Sequence, residues 1–175
     1  MDIPEDVTFD DAIALTQSLM TQLSSGELSQ VDAAGAIAQL VKTTNGARGF
    51  FVTYLTADDS LADTPSPEVI QALQSSPDTV AELLVKNLAM SAAMAITHRR
   101  NQNEAMAQGS DRVRRRTIHL IEKINLPQVQ EKVVALRESA ITGEGNYKAF
   151  LERWQYDAQQ REIIRHTLDR VIVEG

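Results

Sequence analysis

The chain has no cysteine among its 175 residues. A protein without thiols forms no disulfide bond, holds no iron–sulfur cluster or thiolate zinc site, and has no thiol nucleophile. The sequence also lacks a Gly-x-Ser-x-Gly elbow, a glycine-rich phosphate loop, the His-Glu-x-x-His zinc motif and the Glu-x-x-His tetrapeptide of di-iron proteins. We therefore predict no cofactor and no catalytic residue. An enzyme that uses paired carboxylates stays open, because the sequence does not show which carboxylates meet in a cleft.

Signals for export or for a membrane span are also scarce. The N-terminus is acidic and contains no apolar run, so it does not resemble a signal peptide. The most apolar stretch, residues 80–96, includes Glu82, Lys86, Asn87 and Ser91. A membrane span needs about 20 mostly uncharged residues, so we interpret this stretch as a buried helix of a soluble protein. The expected location is the cytoplasm.

Composition and periodicity predict the fold class. Hydrophobic residues make up 43% of the chain and charged residues 23%, which is typical of globular domains. We predict a single domain over residues 1–175, with a candidate subdomain boundary in the Asp-, Ser- and Pro-rich loop 57–66. Strand-like residues are confined to positions 50–55, where no partner strand is evident, so we predict a short helix there. The predicted fold is all-α, a multi-helix bundle of eight or nine helices around one long central apolar helix.

Capping residues and glycines predict where the helices begin and end. A serine followed by proline opens one helix at Pro67 and the long central helix at Pro77. Asn45-Gly46 suits a left-handed cap at the end of the second helix. We predict that the long helix ends at Gly109 and that the next helix begins directly after it. Further N-caps are predicted at Thr8, Ser29 and Asp157.

Charge is distributed unevenly along the sequence. The chain has 24 acidic and 17 basic residues, a formal net charge of −7, so most of its surface should repel nucleic acid. Residues 1–96 carry a net charge of −10, whereas residues 97–175 carry +3. On a helix that follows Gly109, positions 112, 116, 119 and 123 fall within about 60° of one another, apart from the apolar positions. We predict a face that binds an anion or a partner, formed by Arg99, Arg100, Arg112, Arg115, Arg116 and His119.

The predicted face allows three interpretations. In the one we favour, a non-catalytic, cytoplasmic interaction or regulatory protein uses a basic, helix-turn-helix-like face to bind an acidic protein surface, either a partner or a second copy in a homodimer. In the alternative, the same arginines and the free N–H groups of a helix start bind nucleic acid or a phosphorylated ligand. Nucleic acid ranks lower because the whole chain is acidic. In the third, the arginines pair with acidic residues of the chain itself or are simply solvated.

Histidine does not change these expectations. The pairs His119–Glu122 and Glu162–His166 each place two side chains on one helix face. Neither pair has the spacing of a di-iron or zinc-protease motif, and we interpret His98, His119 and His166 as surface or capping residues, so we predict no metal site.

Residues 26–29 (GELS), the alanine-rich helix after them and residues 46–51 (GARGFF) are together similar to the small helical domain of anthranilate-type phosphoribosyltransferases. The resemblance covers about residues 10–56 and implies a similar packing of short helices. Those enzymes continue into a large α/β domain with a glycine-rich diphosphate loop, which this chain does not have. No substrate and no site residue is therefore carried over.

Overall fold

The structure is a computed structural model that describes residues 1–173. Polar side chains cap the N-termini of many of its helices. Thr8, Ser29, Ser66 and Asp157 each accept a hydrogen bond from the backbone N–H three residues later. Such caps satisfy N–H groups that have no partner within the helix. Asp157 forms a full capping box with Gln160. The predicted caps at Thr8, Ser29 and Asp157 and the helix start at Pro67 are thus confirmed.

The part of the chain that the structure describes contains nine α-helices, one 3₁₀ turn at Leu61–Asp63 and no strand. The predicted all-α class, its helix number and the long central apolar helix are confirmed. The helices are α1 (Phe9–Ser25), α2 (Gln30–Leu40), α3 (Thr44–Thr56), α4 (Pro67–Gln74), α5 (Pro77–Arg100), α6 (Glu104–Ile124), α7 (Pro127–Thr142), α8 (Lys148–Arg153) and α9 (Ala158–Asp169).

The chain forms two compact units, Met1–Leu83 and Leu84–Gly175. The division falls inside α5 and not in loop 57–66. The first unit contains 13 acidic and 2 basic residues, a formal charge of −11, and the second contains 11 acidic and 15 basic residues, a formal charge of +4. The charge asymmetry of the sequence therefore coincides with the division into units. The single-domain interpretation stays a prediction.

In the first unit, α1 packs mainly on α3, and α2 packs mainly on α4. Helices α1 and α3 approach each other closely at Gly49, where an added Cβ would lie 2.8 Å from the carbonyl oxygen of Phe9 and closer still to Ala12. The neighbouring aromatic side chains, Phe50 and Phe51, are fully buried in an edge-to-face pair with ring centroids 5.2 Å apart. The predicted short helix at residues 50–55 is confirmed as part of α3.

In the second unit, α5 contacts several of the other helices. The side-chain amide of Gln160 on α9 donates hydrogen bonds to the carbonyl oxygen of Ala93 (3.2 Å) and to Oγ1 of Thr97 (2.9 Å). The ammonium group of Lys86 lies 5.6 Å from the ring centroid of Phe150 on α8. Gln160 is itself buried, so its hydrogen bonds fix α9 against α5 without leaving a polar group unpaired.

Helix α5 is long and apolar enough to cross a membrane, by length and composition only. The core helix of a soluble protein meets the same criterion. The side chains of α5 that are buried in this protein include Val80, Leu84, Val85, Leu88, Ala89, Ala92 and Ala93. These side chains are therefore shielded from solvent within the protein.

Two predicted helix boundaries are wrong. The long helix ends at Arg100 and not at Gly109, which lies inside α6. The turn is made by residues 101–103, where Gln102 adopts a φ of 58° and the Asn103 side chain caps α6 by accepting from the N–H of Met106. Asn45-Gly46 does not cap α2, because Thr43 already caps α3 and its hydroxyl oxygen accepts from the Gly46 N–H.

Candidate partner-binding face of helix α6

The two sides of α6 differ sharply in burial. Thr117, Leu120, Ile121 and Ile124 are buried in the second unit. Residues on the opposite side of the helix reach solvent, among them Arg115 and Lys123. Since α6 begins at Glu104, the arginines lie in the middle of the helix, where the backbone N–H groups are already bonded within the helix. The predicted anion site at a helix start is therefore wrong.

Arg99 is neutralised by acidic residues of the same unit. Its guanidinium lies 2.7 Å from a carboxylate oxygen of Asp111 and 3.2 Å from one of Glu104. Hydrogen bonding to Asp111, and then to Glu104, raises the pKa of Arg99 above its usual value. Asp111 also lies 3.4 Å from Arg114. Arg99 thus links the end of α5 to the first turns of α6.

Arg100 points to a different helix. Its guanidinium donates to the Asp157 carboxylate at 2.6 Å and to the side-chain oxygen of Gln159 at 2.5 Å, both at the start of α9. This hydrogen bond lowers the pKa of Asp157, as do the hydrogen bonds that Asp157 accepts from backbone N–H groups. Arg99 and Arg100 therefore do not converge on one ligand, and the prediction of a common face that includes both is wrong.

Arg116 is not part of an exposed face. It is only 3% exposed, and both it and the half-buried Arg112 take part in interactions within the protein. A guanidinium keeps its charge on burial and needs partners nearby, so Arg116 serves the packing of α6. The prediction placed Arg116 on the solvent side because helical spacing groups it with Arg112, His119 and Lys123, and spacing alone does not show which side of the helix is buried.

A shorter basic surface remains on the solvent side of α6. Arg115, His119 and Lys123 follow one another at four-residue intervals, which places them along one line of the helix. We call these three residues the α6 basic stripe. Arg115 and Lys123 are exposed and His119 is half-buried. Within residues 1–173, Arg115 has no carboxylate partner. Lys123 was left out of the predicted set, although its spacing from His119 is a sequence signal that identifies it.

Other chemistry is not assembled in the described part of the chain. Residues 1–173 contain no group of three or more His, Asp or Glu side chains that could hold a metal ion. Burial raises the pKa of Tyr156 to about 12, so its hydroxyl keeps its proton at neutral pH. Of the predicted face, Arg115 and His119 belong to the α6 basic stripe, and Lys123 extends it.

These features define an all-α protein of two units with opposite formal charge and a short basic stripe on one helix. The family model described as "Uncharacterised conserved protein UCP020893" matches residues 8–171, and the chain belongs to this family. No curated protein and no solved structure matches the chain. The family description names no activity.

Proposed function

We propose that the protein is a non-catalytic interaction or regulatory protein that binds an acidic protein surface through the α6 basic stripe. The observation that carries this proposal is the contrast among the arginines. Arg99 and Arg100 are held by carboxylates of their own unit, whereas Arg115 is exposed and has no carboxylate partner within residues 1–173. An unpaired exposed cation is available for a partner at little desolvation cost.

The surroundings of the stripe favour a protein over a polyanion. Glu122 is exposed next to His119 and Lys123. Nucleic acid presents a uniform row of phosphates, which the Glu122 carboxylate repels. A folded partner presents charges of both signs and can match this mixed pattern. The acidic character of the whole chain works in the same direction.

A double charge reversal tests the proposal. Arg115→Glu combined with Lys123→Glu should abolish capture of the partner and leave the helical circular dichroism spectrum unchanged, because both side chains are exposed. The matched control is Arg153→Glu combined with Arg170→Glu, which makes the same charge change at two other exposed positions of the second unit. Both double variants and the wild-type chain serve as parallel baits in extracts of the native host, with identification by mass spectrometry.

Three further measurements identify the partner's chemistry. Binding of the captured protein should weaken as salt rises, because exposed charges are screened beyond about 10 Å at 0.1 M. Light scattering over the same salt series tests whether the partner is a second copy of this chain, because the first unit of that copy carries a formal charge of −11. Titration with single-stranded and duplex oligonucleotides tests nucleic acid. Equal capture by both double variants, or a captured species that is nucleic acid, would contradict the proposal.

A further inference from the structure

A groove lies on the acidic first unit, whereas the α6 basic stripe belongs to the second unit. It has a volume of about 390 Å³ and runs between α1 and α3. Helix α1 contributes Ile13, Gln17, Met20 and Thr21, and α3 contributes Val52, Thr53 and Thr56, with Asp59 beyond its end. We call this feature the α1–α3 groove. No motif in the sequence pointed to it.

The floor of the groove is apolar and its walls are open to solvent. Met20 is 4% exposed and forms part of the floor, whereas Val52 is 43% exposed although it is a large apolar side chain. Gln17, Thr21 and Thr56 are exposed along the walls. Small-molecule sites usually enclose 70–90% of their ligand, which an open groove does not do. The shape therefore fits the face of a polypeptide segment.

The polar groups of the groove accept hydrogen bonds more readily than they donate them. The hydroxyl protons of Thr21, Thr53 and Thr56 are already donated to backbone carbonyl oxygens one turn earlier in their own helices. A hydroxyl oxygen whose proton is donated can still accept hydrogen bonds. Among the lining side chains, only the amide of Gln17 can supply an N–H donor, and Asp59 adds a carboxylate.

The charge of the first unit and the length of the groove limit further which ligands can bind there. The first unit carries a formal charge of −11, so an anionic ligand is repelled and a cationic one attracted. Along α1 the groove extends from Ile13 to Thr21, which is about 12 Å at the rise of an α-helix. Two turns of a partner helix fit this length and place side chains i, i+3 or i+4, and i+7 against the floor.

We propose that the α1–α3 groove binds a basic amphipathic helix of a partner protein. The apolar face of that helix contacts Ile13, Met20 and Val52, and a lysine or arginine at its edge approaches Asp59. We expect the apolar contacts to supply most of the binding free energy, since exposed ion pairs contribute little. The charge selects among amphipathic helices and speeds association. This second interface is independent of the α6 basic stripe and has the opposite charge.

The test uses the full chain and a labelled amphipathic peptide of about 14 residues, with leucine on one face and lysine and alanine on the other. Saturable binding should be seen by fluorescence anisotropy. Methyl resonances of Ile13, Met20 and Val52 should shift on titration, and those of Val31 on α2 should not. A peptide with glutamate in place of lysine should bind at least about tenfold more weakly.

A matched pair of variants separates the groove from general attraction to an acidic protein. Val52→Arg and Val31→Arg both add one positive charge at an exposed valine of the first unit, with exposures of 43% and 69%. We expect Val52→Arg to weaken peptide binding by about tenfold or more and Val31→Arg by less than about twofold. Circular dichroism confirms that both variants are folded. The Arg115→Glu/Lys123→Glu protein should bind the peptide as the wild type does, so the two proposals fail independently.

Several results would overturn this inference. They are the absence of saturable binding, equal binding of the lysine and glutamate peptides, equal loss with the two valine variants, and shifts confined to residues outside the groove. A concentration-dependent dimer that Val52→Arg dissociates would also overturn it, because a second copy would then be the occupant.

Discussion

Replacement of Gly49 by alanine tests the packing that creates the α1–α3 groove. Carbon atoms in good contact lie about 3.5–4.0 Å apart. The new Cβ would lie 2.8 Å from the carbonyl oxygen of Phe9 and 3.0 Å from the backbone nitrogen of Ile13, and closer still to Ala12. None of these groups can rotate away, because two are backbone and Ala12 has no χ1 rotamer. The helices must therefore separate.

The size of the effect follows from two opposing terms. Overpacking costs about 3 kcal/mol when backbone must move, and alanine regains about 1 kcal/mol of helix propensity over glycine. We expect a net loss of about 2 kcal/mol for Gly49→Ala. Since a protein of this size loses about 2–4 °C in Tm for each kcal/mol, the Tm should fall by about 4–8 °C.

Gly35→Ala provides the control for this prediction. Gly35 lies in the interior of α2, and a Cβ there meets no atom within 4 Å. Only the propensity gain applies, so Gly35→Ala should raise the free energy of unfolding by about 0.5–1 kcal/mol. Urea unfolding is followed by circular dichroism for the whole chain and by the fluorescence of Trp154, the single tryptophan, for the second unit. A Gly49→Ala protein as stable as wild type or Gly35→Ala would refute the close approach of α1 to α3.

Two further predictions concern the second unit. Arg116→Ala should lower the free energy of unfolding by about 1–3 kcal/mol, because Arg116 is buried and the change removes both packing and hydrogen-bonding groups. Arg115→Ala, at an exposed position, should change the free energy of unfolding by less than about 0.5 kcal/mol. Equal effects of the two changes in urea unfolding would contradict the burial of Arg116. Asp157→Asn keeps the α9 cap but removes the ion pair to Arg100. The folded-state pKa of Asp157 lies below its ordinary value of 3.8, so the wild type should have a higher free energy of unfolding than Asp157→Asn above pH 4. This advantage should be lost as pH falls through the folded-state pKa. Unfolding of both proteins at several pH values checks this, and an advantage that grows on acidification would refute it.

Local signals predicted where many of the helices begin but failed at the turn between α5 and α6. Thr8, Ser29 and Asp157 act within their own first turns, so their effect can be recognised from a few neighbouring residues. The predicted helix break at Gly109 is wrong because a glycine inside a helix costs only about 1 kcal/mol, which the burial of one side of α6 readily offsets. The true signal was Asn103, a favourable N-cap residue.

The candidate site was predicted less well because ion pairs depend on tertiary structure. Arg100 and Asp157 are 57 residues apart in sequence, and no periodicity shows that they meet. The burial of Arg116 likewise depends on which side of α6 faces the rest of the unit. The basic run was visible in the sequence, but its division into paired, buried and exposed arginines required the structure.

The passage of one continuous helix through the boundary at Leu83 and Leu84 constrains how this protein can be dissected. A fragment that begins at Leu84 starts in mid-helix, without an N-cap, and its first N–H groups lose the carbonyl partners of the preceding turn. It would also depend on a shortened α5 to bury Leu88 and Ala92. Fragments made by deletion would therefore fail to fold, and their failure to fold would be mistaken for loss of a binding site. Interfaces on either unit are better assigned by surface point substitutions in the intact chain.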